Sequence, residues 1–126
     1  MKVAVLGASN KPERYSNKAI KMLLEHEHNA IPVNPAQKTI EGITVIPNLE
    51  KLPRDVHTIT VYVGPDISSA MKESFLALRP KRVIFNPGAE NPDLAKHLEA
   101  AGIETVEACT LVMLRTGTFD QSSNRT

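Results

Sequence analysis

After Met1-Lys2 the chain runs Val3-Ala4-Val5-Leu6 into Gly7. An apolar run with no polar alternation suits a strand covered on both faces, as inside a parallel sheet. Parallel neighbours cannot be joined by a tight turn; each needs a crossover of a dozen or more residues, usually a helix. The opening run therefore requires alternating strands and helices from the rest of the chain, and it is expected to be the first, central strand of the sheet.

The remainder meets that requirement. Ser16 is the expected N-cap of a helix with Ala19, Ile20, Leu23 and Leu24 on one face, ending near His26 to Asn29. Ala30 to Val33 reads as a second strand, in which Pro32 can donate no ladder hydrogen bond. Residues 36–56 are less regular: Thr44-Val45-Ile46 fits a short edge strand, and Asn48 caps one helical turn before Pro53. Thr58 to Val63, rich in β-branched residues, predicts a further strand. Asp66 is the expected cap of a helix whose face collects Ile67, Ala70, Met71, Ser74, Phe75 and Leu78.

Arg82 to Phe85 is another strand, and Asn91-Pro92-Asp93 opens a helix that turns Leu94, Ala95 and Leu98 inward. Gly102 ends that helix, and Ile103 to Val106 is the last strand. The order predicts a three-layer, doubly wound α/β domain with a mostly parallel sheet over residues 1–115, Rossmann-like in class. Residues 116–126 (TGTFDQSSNRT) are polar enough to read as a flexible tail.

Composition narrows the partners. The 126 residues suit one domain, and a net charge of +1 gives no bulk attraction to nucleic acid or membrane. Aromatics are 4%, without Trp, which leaves few platforms for base stacking. No apolar stretch approaches membrane-spanning length, and nothing resembles a secretory leader. The one cysteine, Cys109, cannot form an internal disulfide, and no Cys/His cluster has metal-ligand spacing, so a reducing, cytoplasmic setting is expected.

In a doubly wound sheet the loops after the strands' carboxyl ends share one rim, where ligands settle at the point of strand-order reversal. Four loops converge there: Gly7 to Tyr15, Asn34 to Lys38, Gly64 to Asp66, and Asn86 to Asn91. The first joins strand to helix, where backbone N–H groups and the helix dipole suit a phosphate. It departs from the G-x-G-x-x-G dinucleotide fingerprint, since Gly7 is followed by Ala8 and Ser9, and it carries Lys11 and Arg14. The second strand ends in Asn34-Pro35 where an NAD site places an acid, and nearby Lys38 suits a phosphorylated ribose. NAD is disfavoured; the 3′-phosphate of coenzyme A and the 2′-phosphate of NADP both remain open.

The combination VAVLGAS-x4-RYS, IPVNP, EG-x-x-VIPNLEKLP, VYVGPD and an N-P-G loop resembles the CoA-binding domain family. That family is similar to the amino-terminal domain of the succinyl-CoA synthetase α subunit, and the resemblance covers roughly Lys2 to Thr110. It implies that Gly7, Ala8, Ser9, Asn10, Lys11, Pro12, Arg14, Tyr15 and Ser16 form the loop that holds coenzyme A phosphates, with Ser9, Lys11 and Arg14 as the foremost side chains. It implies further that Val33, Asn34, Pro35 and Lys38 border the adenosine. Val63, Gly64 and Pro65, with Asn86, Pro87 and Gly88, would line the pocket and the pantetheine path; the family often has Gln-x-Gly at the last loop.

The synthetase also needs a domain with a phosphorylated histidine and a nucleotide-binding partner subunit, and neither is recognisable in these residues. His26, His28, His57 and His97 fall away from the expected rim, and no nucleophile–base or carboxylate pair stands out. The expectation is a module for coenzyme A or an acyl-CoA, with room for a homo-oligomer or partner subunit, rather than a catalyst. Competing readings are a pyridine-nucleotide oxidoreductase or redox sensor, and an interaction protein with a vestigial pocket. Cys109, near a thiol ligand, is a candidate for a mixed disulfide with coenzyme A.

Overall fold

A computed structural model describes residues 1–120. In chain order the elements are β1 (Lys2–Leu6), α1 (Tyr15–Glu25), β2 (Asn29–Val33), β3 (Thr39–Ile40), β4 (Ile43–Thr44), a 3-10 turn (Leu49–Lys51), β5 (Thr58–Val61), α2 (Pro65–Ala70), α3 (Lys72–Leu78), β6 (Arg82–Phe85), α4 (Pro92–Ala100), β7 (Glu104–Glu107) and α5 (Thr110–Arg115). Five strands form one sheet in the order β2-β1-β5-β6-β7, and every neighbouring pair is parallel. The sheet has helices on both faces, the three-layer Rossmann-like α/β class expected. β1 is interior as predicted, but β5 is the middle strand. β2 is an edge strand, which is where Pro32 is tolerated.

Strand alternation separates two apolar layers. Val3 and Val5 of β1 and Ile84 of β6 meet Ile20 and Leu23 of α1 and Leu114 of α5. Ala4, Leu6, Ile59, Val61, Val83 and Phe85 face the other way, onto Phe75 and Leu78 of α3 and Leu94 and Leu98 of α4. Two expectations of capping hold: Asn91 Oδ1 accepts from the N–H of Leu94, and Asn48 Oδ1 accepts from that of Lys51. The amide of Asn91 also reaches Pro65 O, Ser68 Oγ and Ser69 Oγ, fixing α2 against α4.

Several boundaries differ from expectation. Ser16 is not the cap of α1 but its second residue, buried, and Arg14 takes the N-cap by backbone alone. Gly64, not Asp66, precedes α2, because Pro65 has the fixed φ that suits a first helical position. The expected single helix through Leu78 divides at Met71, so Ile67 and Ala70 face solvent while Phe75 and Leu78 reach the core. The strand expected at Thr44-Val45-Ile46 becomes a β3–β4 hairpin turning at Glu41 and Gly42, followed by Ile46 bridging Val33. α5 was not anticipated.

Nor are residues 116–120 a loose tail. Phe119 is 2% exposed and packs with Leu114 and Ile20. Its carbonyl accepts from Arg82 Nη1 at 2.7 Å, and the guanidinium lies 4.6 Å from its ring centroid. The rest of the expected tail, 121–126, lies outside the described residues. Phe119→Ala should therefore lower stability by about 3 kcal/mol, the ordinary cost of truncating a core aromatic. Chemical denaturation measures this, and a change below about 0.5 kcal/mol would place the segment outside the cooperative unit.

The same amino edge carries His28 and His57. Burial is the main cause holding both imidazoles below their ordinary value; for His28 the N-terminal ammonium adds to it and Asp120, 3.2 Å away, opposes it. The unfolded chain takes up protons on these rings from about pH 6.5 downward and the folded chain only lower, so the unfolded state holds more protons in that window. Stability should thus fall as pH drops from about 7 through 6.5, and His28→Asn/His57→Asn should flatten the melting profile; an unaltered slope would remove both rings from the account.

Candidate functional site

β1 leaves the sheet at Leu6, and Gly7 follows at φ +86°. A Cβ at Gly7 would lie 2.9 Å from Val63 Cγ1 and 3.3 Å from the Tyr62 carbonyl carbon. Glycine is required twice here, for its backbone conformation and for its missing side chain. The result is that the loop after β1 rests directly on the loop after β5. These two loops flank the place where the strand order reverses, the position at which open α/β sheets bind ligands.

Hydrogen bonds fasten the first loop on its other sides. The N–H groups of Gly7 and Ala8 both donate to Val33 O, at 3.1 and 3.2 Å. Asn34 Nδ2 donates to Ala8 O at 2.8 Å, while Asn34 Oδ1 accepts from the N–H groups of Ala36 and Gln37. Asn17, wholly buried in α1, donates through Nδ2 to Ser9 O at 2.9 Å and to Glu41 Oε2 at 3.1 Å. Ser9 Oγ accepts from the N–H of Lys11, closing a tight local turn.

Asn10, Lys11, Pro12, Arg14 and Tyr15 stand exposed beyond that turn. α1 begins there with no side-chain cap and no acid in its first turn. Arg14 O accepts from the N–H groups of Asn17 and Lys18. Among the described residues no acceptor meets the N–H groups of Tyr15 and Ser16. An uncapped helix start with cations at its mouth is chemically an anion acceptor.

The structure brings Gly7, Ala8, Ser9, Asn34 and Val63 into one constellation; Pro35 and Lys38 are exposed beyond Asn34. Gly64 and Pro65 turn the chain from β5 into α2. The Asn86 loop is one strand further on, and Asn86 is 2% exposed. Its Nδ2 donates to Thr60 Oγ1 and Val61 O, and its Oδ1 accepts from the N–H of Thr110. Asn86 thus ties β5, β6 and α5 together with its polar atoms engaged, while Pro87 and Gly88 are exposed beside it.

Sequence reading missed Asn17, Tyr62 and the start of α5. Tyr62 follows β5, and burial pushes its phenol up to about 12 against the weaker pull of the Thr60 and Thr110 hydroxyls. Cys109, partly buried, occupies the N-cap of α5 without a side-chain cap. A helix could have been suspected from Thr110, Leu111 and Leu114, whose i, i+1, i+4 spacing is helical. Among the described residues no group of His, Cys, Asp and Glu could hold a metal ion, and no helix is long and apolar enough to cross a membrane.

A five-stranded parallel sheet flanked by helices, with the β1 and β5 loops in close contact at its switch point, defines a Rossmann-like α/β domain. A family model described as "CoA binding domain" matches residues 1–115, and the chain belongs to that family. Among solved structures it is similar to an uncharacterized protein at 42% identity and TM-score 0.89, covering 94% of this chain and 97% of the other. It is also similar to a Thermus thermophilus protein at 30% identity and TM-score 0.85, covering 94% and 90% respectively. A Ca. Korarchaeum cryptofilum dinucleotide-forming acetyl-coenzyme A synthetase shares the fold at 20% identity and TM-score 0.70; the match spans 85% of this chain and 25% of that one.

Gly7→Ala tests the close approach. It should cost about 2–3 kcal/mol from backbone strain and the contact with Val63, read as a lowered unfolding midpoint. A variant as stable as the parent would show that the β1 and β5 loops can separate freely.

Proposed function

We propose that this chain binds coenzyme A or an acyl-CoA at the β1–β5 switch point, with its phosphates against the Gly7 loop and the start of α1. The observation that carries the reading is the uncapped entrance of α1, where the Tyr15 and Ser16 N–H groups have no acceptor among the described residues and Lys11 and Arg14 stand exposed. Coenzyme A carries a pyrophosphate and a 3′-phosphate, so its charge matches a site built from N–H dipoles and two cations. Membership of the CoA binding domain family supports this ligand over others bearing phosphates.

In this reading Ser9, Lys11 and Arg14 meet the pyrophosphate, and Lys38, beyond the Asn34-Pro35 corner, meets the phosphorylated ribose. Val63, Gly64 and Pro65 flank the pantetheine arm, with Pro87 and Gly88 further along the rim. On this reading the chain is a binding module for coenzyme A, and acid–thiol ligase activity is not assigned to it.

A melting panel of coenzyme A, dephospho-coenzyme A, acetyl-coenzyme A, NAD and NADP tests this. Coenzyme A at 100 times its dissociation constant adds about 2.7 kcal/mol of stability, a shift of several degrees. Dephospho-coenzyme A should shift less and NAD least; equal shifts from NADP and coenzyme A would sink the assignment. Lys11→Ala/Arg14→Ala should weaken coenzyme A at least about tenfold while leaving the ligand-free melting temperature in place.

A further inference from the structure

Two consecutive carbonyls in the Gly7 loop are held by buried or partly buried asparagine amides from different elements. Asn34 Nδ2, after β2, donates to Ala8 O at 2.8 Å. Asn17 Nδ2, in α1, donates to Ser9 O at 2.9 Å. In a planar trans peptide the carbonyl of one residue and the N–H of the next point in opposite directions, and the chain has no cis peptide among its described residues. Fixing Ala8 O and Ser9 O toward the protein therefore turns the N–H groups of Ser9 and Asn10 away from those two amides.

Neither N–H has an acceptor among the described residues, whereas the N–H groups on either side do: Ala8 donates to Val33 O and Lys11 to Ser9 Oγ. Successive outward N–H groups form a concavity of partial positive charge that suits an anion. We infer that Asn17 and Asn34 are positioning residues, whose clamp on Ala8 O and Ser9 O presents the Ser9 and Asn10 N–H pair to a phosphate group of the ligand. This rests on the coenzyme A reading above and adds to it the backbone donors and the side chains that aim them.

The clamp is braced from behind. Asn17 Nδ2 also donates to Glu41 Oε2 at 3.1 Å, and Glu41 sits at φ +51° in the β3–β4 turn, with Lys21 Nζ 3.9 Å from the same carboxylate oxygen. The hairpin thus fixes the plane of the Asn17 amide. A side-chain amide suits the work because it donates without bringing a negative charge of its own toward an incoming phosphate.

The test combines calorimetry with amide NMR on the whole chain, using coenzyme A and inorganic pyrophosphate as probes. In the wild type both probes should shift the Ser9 and Asn10 amide resonances. Asn17→Ala and Asn34→Ala should each weaken coenzyme A about fivefold or more and abolish the selective shift of those two amides, with the remaining spectrum folded. Should Asn17→Ala fail to fold, Asn34→Ala, on a loop at the surface, carries the same test. Wild-type binding together with variant affinities and Ser9 and Asn10 shifts equal to wild type overturns the positioning role alone. Wild type that binds neither probe overturns the coenzyme A reading, and the positioning role with it.

Discussion

Parallel pairing on both sides of β1 is the constraint from which the rest of this structure follows. β1 pairs with β2 through Lys2–Leu6 and with β5 through Val3–Leu6, all in the same direction. Each strand must therefore leave at one edge and its successor must enter at the other, with a helix or long segment crossing a face between them. The two edges of the sheet acquire different chemistry as a result. The carboxyl edge collects loops that start helices, and so exposes N–H groups. The amino edge collects the returns, and there the chain is closed by Arg82 beneath Phe119, by His28 beside Asp120, and by Lys2 paired to Asp55 at 2.7 Å.

At the carboxyl edge the fastenings are mostly neutral amides. Asn34 and Asn17 hold the first loop, Asn86 holds β5 to α5, and Asn91 holds α2 to α4. Asn34, Asn86 and Asn91 each donate and accept at once, so one side chain satisfies groups from two or three elements, whereas Asn17 only donates and its Oδ1 meets no donor among the described residues. Leaving such partners unmet would cost about 1–3 kcal/mol each. Neutral fastening also leaves the local potential to the helix start and to the exposed Lys11, Glu13 and Arg14, while the Glu41 carboxylate stands one step behind, against Asn17.

The parts of this architecture legible in the sequence are those governed by local rules. The Val3–Leu6 run, the β-branched stretch after His57 and the Asn91-Pro92 helix start each carry their own signal, and each appears where expected. Ser16 misled because its capping preference is genuine, yet the chain needs that residue inside the first turn, where it is buried. The stripe from Ile67 to Leu78 showed correct apolar spacing, but spacing does not report the break at Met71 that lets α2 and α3 answer to different neighbours. α5 is only six residues long, so the helical spacing of Thr110, Leu111 and Leu114 is a single turn's worth of signal, easily passed over. Phe119 lay in a polar stretch, and its burial becomes intelligible only with Arg82, Ile20 and Leu114 placed against it. Asn17 was invisible for a similar reason: an asparagine in an amphipathic helix reads as solvent-facing until Glu41 and Ser9 are placed against it. Asn34 and Asn86 were found as rim residues, but their partners are the protein's own groups, backbone throughout except for the Thr60 hydroxyl.

The titrating groups Tyr62, His28 and His57, all with shifted pKa values, are divided between the two ends of the sheet. General acid–base catalysis works best when the group exchanging protons has a pKa near the ambient pH. Tyr62, beside the switch point, is pushed to about 12 by burial and stays a protonated phenol at neutral pH. The imidazoles with described shifts, His28 and His57, lie at the starts of β2 and β5, across the length of the sheet from Gly7. Lys11 and Arg14 offer fixed positive charge, which attracts phosphate without needing to exchange a proton. In the proposed reading, outward N–H groups, the Lys11 and Arg14 cations and a protonated phenol hold an anionic ligand in one orientation. On that reading affinity would come from preorganisation, because Asn17 and Asn34 already clamp the loop and little ordering entropy remains to be lost.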